Sequence, residues 1–430
     1  MRLHHWRYRL HFLWLIQLMT VSTMEMSGPF WPIYFKQLLT QTPFSFIDIS
    51  NSHWINIFAA LAYILPLLAA MLSAPFWGRV GDKYGHKLMI LRALFALGLC
   101  QFLLVYVQQP WLILLLRTMQ GFTAGTIAAT QSYAAKMSPT NKRGQVFSRI
   151  QSATAAGSLL GPLVGGYWLA EQTMPQLFAQ SSVIFIVLLL VIYGLLPHDN
   201  VKKNLLKTSS ASTKTVAADI LWQPAILLTA ICLAQIAKRL PQSFYALYAE
   251  TIIGQGSFMI GVLYSATGLG ILLTAPISGY YFDRLKQGKH QQYFLQTICV
   301  VALLLMLWQS QITQFYPALM VRFLWGGCLA AILPLLSAQL SAFGGLKNIG
   351  KQVGISHSAI KLGGILGIGL GSAIFSLLNW QWAFASIALV YGALIALLNK
   401  RNVVAKPKAI ILKKSTTKTT TTKTIKSAVT

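Results

Sequence analysis

Acidic residues are scarce in this sequence: eight Asp and Glu stand against 35 Lys and Arg in 430 residues. Charged residues of both signs make up only 10% of the chain, whereas soluble proteins carry about a quarter. That shortage excludes a water-exposed globular surface for a chain of this length. Cysteine is sparse too. Cys100, Cys232, Cys299 and Cys328 lie inside apolar stretches without metal-ligand or redox spacing, and read as small packing residues. Clustered His, Asp or Glu of the kind that hold a metal are missing, and His53 and His357 form no recognisable catalytic set. The expectation is therefore a non-enzyme with no metal and no cofactor.

Apolar sequence is what the chain has in abundance, with 55% hydrophobic residues and a mean hydropathy of +0.58. Stretches of about 20 apolar residues, enough to cross a bilayer as helices, recur along its length. Twelve are read: Leu10–Phe35, Trp54–Trp77, Lys87–Val107, Trp111–Lys136, Val146–Ala170, Leu177–Leu196, Trp222–Ala249, Phe258–Phe282, Tyr293–Trp308, Tyr316–Ala338, Val353–Leu377 and Trp380–Leu398. The polar stretch 197–221 divides them into halves at 1–196 and 222–399. Residues 400–430, rich in Lys, Thr and Ser, are expected to be a disordered basic tail. Met1–Thr20 has the charge and apolar run of a signal peptide but no clear small-residue cleavage site, so it is read as part of a retained first helix.

A net charge of +27 raises nucleic acid as a partner. Its placement argues otherwise. With the amino terminus cytoplasmic and sides alternating, 28 of the 35 Lys and Arg fall in the amino terminus, the even-numbered links with their adjoining span ends, and the tail. That is the bias of cytoplasmic loops, and it puts both termini in the cytoplasm. The lipid bilayer, and no nucleic acid, is the expected partner.

Few polar residues remain inside the spans, and each needs a reason. Glu25 precedes Gly28-Pro29-Phe30-Trp31-Pro32, where two prolines predict a break in the first span. A carboxyl held away from bulk water can take up and release a proton near neutral pH, which makes Glu25 the candidate for proton coupling. Arg117 lies nearly two turns inside the fourth span, and stays charged while acting on such an acid. Lys238 and Arg239 sit mid-span before Pro241, and a break at that proline would let the pair line it; Arg322 and Lys361 follow in later spans. Together these cations outnumber the acids, so a shared cavity would be electropositive and suit carboxylate or phosphate groups. Phe30, Trp31, Tyr245, Tyr248 and Trp325 are candidates for its apolar walls.

The landmarks come in pairs. The charged, glycine-punctuated link Gly78-Arg79-Val80-Gly81-Asp82-Lys83-Tyr84-Gly85-His86-Lys87 is echoed by Gly279–Arg284, with Asp82 and Asp283 201 residues apart. Arg117-x-x-x-Gly121 returns as Arg322-x-x-x-Gly326, 205 residues on. The glycine run Gly157, Gly161, Pro162, Gly165 and Gly166 returns around Gly363 and Gly367, with Gly161 and Gly367 206 apart. Glycines four apart make a flat strip on which a second helix packs closely. Constant order and nearly constant separation indicate two tandem six-helix halves in the same orientation.

At these positions the sequence resembles the major facilitator superfamily over roughly residues 10–400. The Gly78–Lys87 link resembles that family's signature between helices two and three, with Val80 in place of the usual leucine and His86 in place of a cation. Arg117–Gly121 resembles its helix-four motif, whose arginine is implicated in proton coupling. Gly157–Gly166 resembles the helix-five motif of drug:proton antiporters. The resemblance implies an all-α membrane protein of twelve helices in two pseudo-symmetric bundles, working by alternating access as a monomer in a cell inner membrane. It further implies proton-coupled efflux of small lipophilic compounds. On it, Gly78, Asp82, Lys83, Gly85 and Lys87, with Asp283 and Arg284 as a weaker second set, would gate the inner ends of the bundles. An organic-anion substrate, such as a carboxylate metabolite or siderophore, is the alternative carried by the electropositive residues, and a non-transporting sensor is a remote one.

Overall fold

A bilayer core offers no water to unpaired amides, so long apolar runs must pair their backbones internally as helices. The computed structural model describes residues 6–41, 52–138, 143–197, 223–284, 289–343 and 345–399, and they are helical with short links. The expected linker beyond Pro197, the tail 400–430 and the side chain of Asp283 lie outside the described residues.

The first half contains α1 (Trp6–Met26), α2 (Trp31–Gln41), α3 (Ser52–Tyr84), α4 (His86–Tyr106), α5 (Pro110–Thr123), α6 (Thr126–Met137), α7 (Arg143–Glu171) and α8 (Met174–Leu195). The second contains α9 (Pro224–Arg239), α10 (Tyr245–Thr251), α11 (Ser257–Arg284), α12 (Lys289–Gln309), α13 (Phe315–Phe343), α14 (Gly345–Leu377) and α15 (Trp380–Asn399). Three spans are broken helices: α1 with α2, α5 with α6, and α9 with α10.

Packing repeats between the halves. In the first, α1 lies on α7, α3 on α5 and α4 on α8; in the second, α9 lies on α14, α11 on α13 and α12 on α15. The halves meet through α7 with α11 and α3 with α14. Among the described residues ten spans are long and apolar enough to cross a membrane. The first and fifth expected spans, α1 and α7, are long enough but more polar, and they pack on each other. Trp14 donates to Ser152 at 3.1 Å and Gln17 to Thr154 at 3.3 Å across that seam, so the two helices pair polar groups with each other. Leu190, Val187, Ile186 and Tyr193 of α8 instead present exposed apolar surface, as a lipid-facing helix must.

Both proline-based breaks occur. The first span bends through a 3-10 turn at Gly28–Phe30 and the seventh through one at Leu240–Ser243. The fourth span also breaks, at Gly125 with φ 129°, which local sequence does not announce. Its freed carbonyls are taken by Arg92 of α4, whose Nη2 donates to Thr123 O at 3.1 Å and Ala124 O at 3.4 Å. The Gly78–Lys87 link differs from expectation. Helix α3 continues through it to Tyr84, and the chain turns only at Gly85, whose φ of 98° is a conformation glycine supplies without strain. The glycines at 78 and 81 do not interrupt the helix because neither adopts a positive φ.

The two ends of the bundle differ. One apolar core, including Phe30, Trp31, Phe58, Ile113, Phe178, Tyr245 and Phe384, spans both halves. A second, including Leu13, Leu94, Tyr133, Ile150 and Phe185, draws on the first half alone, toward the end that carries Asp82. The halves are therefore joined at one end of the molecule.

Candidate functional site

The glycine strips set how closely the helices approach. A Cβ on Gly161 would lie 2.6 Å from Glu25 Cβ and 2.7 Å from Ser22 O, and one on Gly157 2.8 Å from Leu18 O. Gly165 sits against Met26 backbone, whereas Gly166 faces Ser257 and Gly261 of the other half. Gly363, Gly367 and Gly371 repeat the first three contacts against Cys232 and Ile236 of α9 and Leu240 of the 3-10 turn that follows it. Pro162 adds its carbonyl to the seam at Gly261. The strips thus hold α1 and α9 to their own halves and bring both helix breaks to the middle.

A cavity of about 160 Å³ opens between these breaks. Its walls include Glu25 and Tyr63 from the first half, and Lys238, Arg239, Gln242, Tyr264, Arg322 and Trp325 from the second. One acid therefore shares the space with three cations. Among the described residues Glu25 makes no direct ion pair, and the charges acting on it are Arg239, then Arg117 and Lys238. Arg239 Nη1 donates to Gln242 Oε1 at 2.8 Å, which fixes its head beside the 3-10 turn. Tyr63 donates to Gly28 O at 2.6 Å and so ties α3 to the break next to Glu25.

The paired arginines have different surroundings. Arg117 donates to Ala62 O at 3.2 Å and to Gln120 Oε1 at 2.8 Å, and its guanidinium lies 4.6 Å from the Trp31 ring centre. It stands behind the cavity wall rather than in it. Trp31 is fully buried, stacked on Phe178 with 5.4 Å between ring centres, and lies outside the wall as well. Tyr245 backs the wall, 3.8 Å beneath the Arg322 guanidinium. Lys361 is half-buried on α14 and does not line the cavity.

The link residues lie at the far end. Asp82 is 79% exposed and faces His86 of its own half at 3.8 Å. Lys83 lies 5.2 Å from the Tyr84 ring centre, Gly78 is unencumbered, and Arg284 lies 4.3 Å from the Tyr280 ring centre. Lys87 is buried and donates to Tyr193 O at 3.0 Å and to Leu196 O, capping the carboxyl end of α8 where the helix dipole favours a cation. Gln292 does the same for α15 through Leu398 O at 2.8 Å.

At the opposite end the halves are bonded directly. Lys36 Nζ pairs with Glu250 Oε2 at 2.8 Å, Ser372 donates to Asn56 O at 2.6 Å, and His53 meets Ser376, while Ser265 donates to Leu159 O at 2.7 Å nearer the depth of the cavity. The 214-residue separation of Lys36 and Glu250 also relates Glu25 to Arg239, Trp31 to Tyr245 and Tyr34 to Tyr248. The two broken helices therefore carry opposite charges at equivalent depths, twice over. Sequence reasoning did not find this complementarity, nor Tyr63 and Tyr264, which are 201 residues apart like the Asp pair and both line the cavity.

Comparison with known proteins follows the same pattern. The model of the Major Facilitator Superfamily matches residues 13–320 and 293–429. Multidrug resistance protein MdtG of Salmonella paratyphi A (strain ATCC 9150 / SARB42) is 26% identical over 394 residues, which covers 89% of this chain and 93% of that protein. Among solved structures, a D-xylose-proton symporter aligns with a TM-score of 0.70 at 12% identity, over 93% of this chain and 99% of that one. The human organic anion transporter MFSD10 (TETRAN) aligns with a TM-score of 0.63 at 15% identity, over 91% and 99%.

Proposed function

The chain belongs to the Major Facilitator Superfamily, and from that premise we propose that it exports small lipophilic compounds across a cell inner membrane in exchange for protons. The observation that carries this reading is Glu25, the one acid in the wall of a cavity between the halves. Its ionised carboxylate attracts Arg239 and Lys238 of the opposite half. A proton cancels that attraction, so protonation biases how the halves sit about the cavity. Arg117 acts from behind as a fixed charge. Similarity to MdtG, a multidrug resistance protein, supports export of varied compounds.

The basic links and both termini face the cytoplasm in this reading. The joined end, with Lys36 and Glu250, is then the outer one, and the conformation is closed outside. Alternating access requires that end to part and the Asp82 end to come together. Asp82 pairs only within its own half among the described residues, as expected before the cytoplasmic ends meet. Asp82, Lys83 and Arg284 would make their cross-half contacts in the other conformation, while Lys87 steadies the helix pair beneath them. The carrier would work as a monomer within the bilayer.

Everted membrane vesicles test the reading. With an imposed inward-acid pH gradient, vesicles containing the protein should accumulate a fluorescent lipophilic compound and release it when nigericin collapses the gradient. Vesicles with Glu25→Gln at equal abundance should accumulate none. Accumulation indifferent to nigericin would defeat proton coupling.

A further inference from the structure

Arg322 is a buried cation without a counter-ion. Only 5% of its surface is exposed, and among the described residues it makes neither an ion pair nor a hydrogen bond; its Nε is buried without a partner. Around it stand the rings of Tyr245, Tyr264 and Trp325, at 3.8, 5.1 and 5.2 Å from the guanidinium carbon to the ring centres. Rings stabilise a cation through their faces but accept none of its in-plane hydrogen bonds. Those donors sit in the wall of the cavity.

The first half provides an internal comparison. Arg117 occupies the equivalent position and is satisfied by Ala62 O and Gln120 Oε1. The residue equivalent to Gln120, 205 positions on, is Trp325. Its indole N–H can only donate, and it donates to Tyr391 OH at 2.9 Å. The internal acceptor that completes Arg117 has thus been replaced by a ring. Glu25 does not take its place: among the described residues no ion pair joins it to Arg322. The cavity accordingly has two poles, a proton-exchanging one at Glu25 and a donor-rich one at Arg322.

We propose that Arg322 is the anion-recognition residue of the cavity, seating the carboxylate of an amphipathic organic acid whose apolar body lies against Tyr264 and Trp325. A guanidinium presents parallel N–H donors that match a carboxylate bidentately. Burial makes an unpaired charge costly, so the partner that supplies the acceptors is bound strongly. Lys238 and Arg239 in the same wall add attraction for an anion. An inside-negative membrane potential drives an anion outward, so such a substrate also suits export. The inference rests on the reading that this cavity receives the transported compound.

Three probes of one shape and different charge test it: 2-naphthoate, neutral 2-naphthylmethanol and cationic 2-naphthylmethylammonium. Their binding to the purified full-length protein is followed by quenching of intrinsic tryptophan fluorescence or by calorimetry. Wild type should bind the naphthoate roughly tenfold or more tightly than the alcohol, as expected for hydrogen bonds to a charged group. Arg322→Gln should remove most of that preference, leaving the part that Lys238 and Arg239 supply, and should weaken the naphthoate far more than the alcohol. Arg322→Lys, which keeps the charge and loses the fork, should lie between, and serves if the Gln variant does not fold. Equal affinity for the three probes, preference for the ammonium, or an undiminished naphthoate preference in a folded Arg322 variant would overturn the proposal. Naphthoate binding without movement into proteoliposomes would uphold the site and defeat the transport reading. Transport of lipophilic cations untouched by Arg322→Gln would do the reverse.

Discussion

Lys36 and Glu250 offer the clearest handle on the conformational cycle. Their 2.8 Å ion pair joins α2 to α10 across the halves, with side chains 36% and 30% exposed. A fully exposed pair contributes about 0.2–1 kcal/mol, and partial burial puts this one near the top of that range. At about 1.4 kcal/mol per factor of ten, losing about 1 kcal/mol shifts the balance between outer-closed and outer-open states roughly fivefold. Lys36→Gln and Glu250→Gln should each produce that shift, since either removes the same bond. Spin labels at Gln37 and Thr251, both exposed on these helices, would report it as a larger long-distance population in pulsed electron resonance. The charge-reversed double variant Lys36→Glu/Glu250→Lys should restore most of the original distribution, and high salt should reduce the effect of the single changes. A double variant no better than the singles would refute the latch, as would singles identical to wild type.

Other sites give sharper stability effects. Gly161→Ala places a Cβ 2.6 Å from Glu25 Cβ and 2.7 Å from Ser22 O, so α1 must move; a loss of about 1–3 kcal/mol should appear as a lower melting temperature and weakened proton coupling. Arg92→Leu leaves the part-buried Thr123 O and Ala124 O unpaired at the break between α5 and α6, at about 1 kcal/mol each, the low end of the cost of an unsatisfied acceptor, and should lower thermal stability in detergent. Lys87→Met removes the cap on α8, while Lys87→Gln, which copies Gln292 in the other half, should recover most of the loss.

Features set by short-range chemistry were readable in the sequence. Pro29, Pro32 and Pro241 announced two helix breaks, and the glycines at 157, 161 and 165 announced close packing on a neighbour. The break at Gly125 was hidden because its compensation comes from Arg92, on another helix. The uninterrupted run of α3 through Asp82 was hidden for the opposite reason: glycine permits a turn without requiring one, and of the glycines in this link only Gly85 takes a positive φ. At the cavity, charge drew attention to Glu25, Lys238, Arg239 and Arg322, and all four line it. Neutral Tyr63 and Tyr264 carried no such signal, although the repeat separation already linked them. The opposed charges of the broken helices escaped because their separation of 214 differs from that of the other landmarks. Trp31 and Lys361 were grouped with the cavity residues by residue type and position in the span, but only tertiary packing tells which face of a helix meets a cavity.

The most direct test of the account is proton movement through the reconstituted protein. Internal pH is recorded in proteoliposomes under an imposed pH gradient, while a panel of lipophilic cations and organic anions is added to wild type and to Glu25→Gln. The account predicts compound-triggered proton flux in wild type and none in the variant, with the variant still folded. Equal flux in both proteins would contradict the assignment of the proton to Glu25. Silence of the wild type toward the whole panel would contradict proton-coupled export itself.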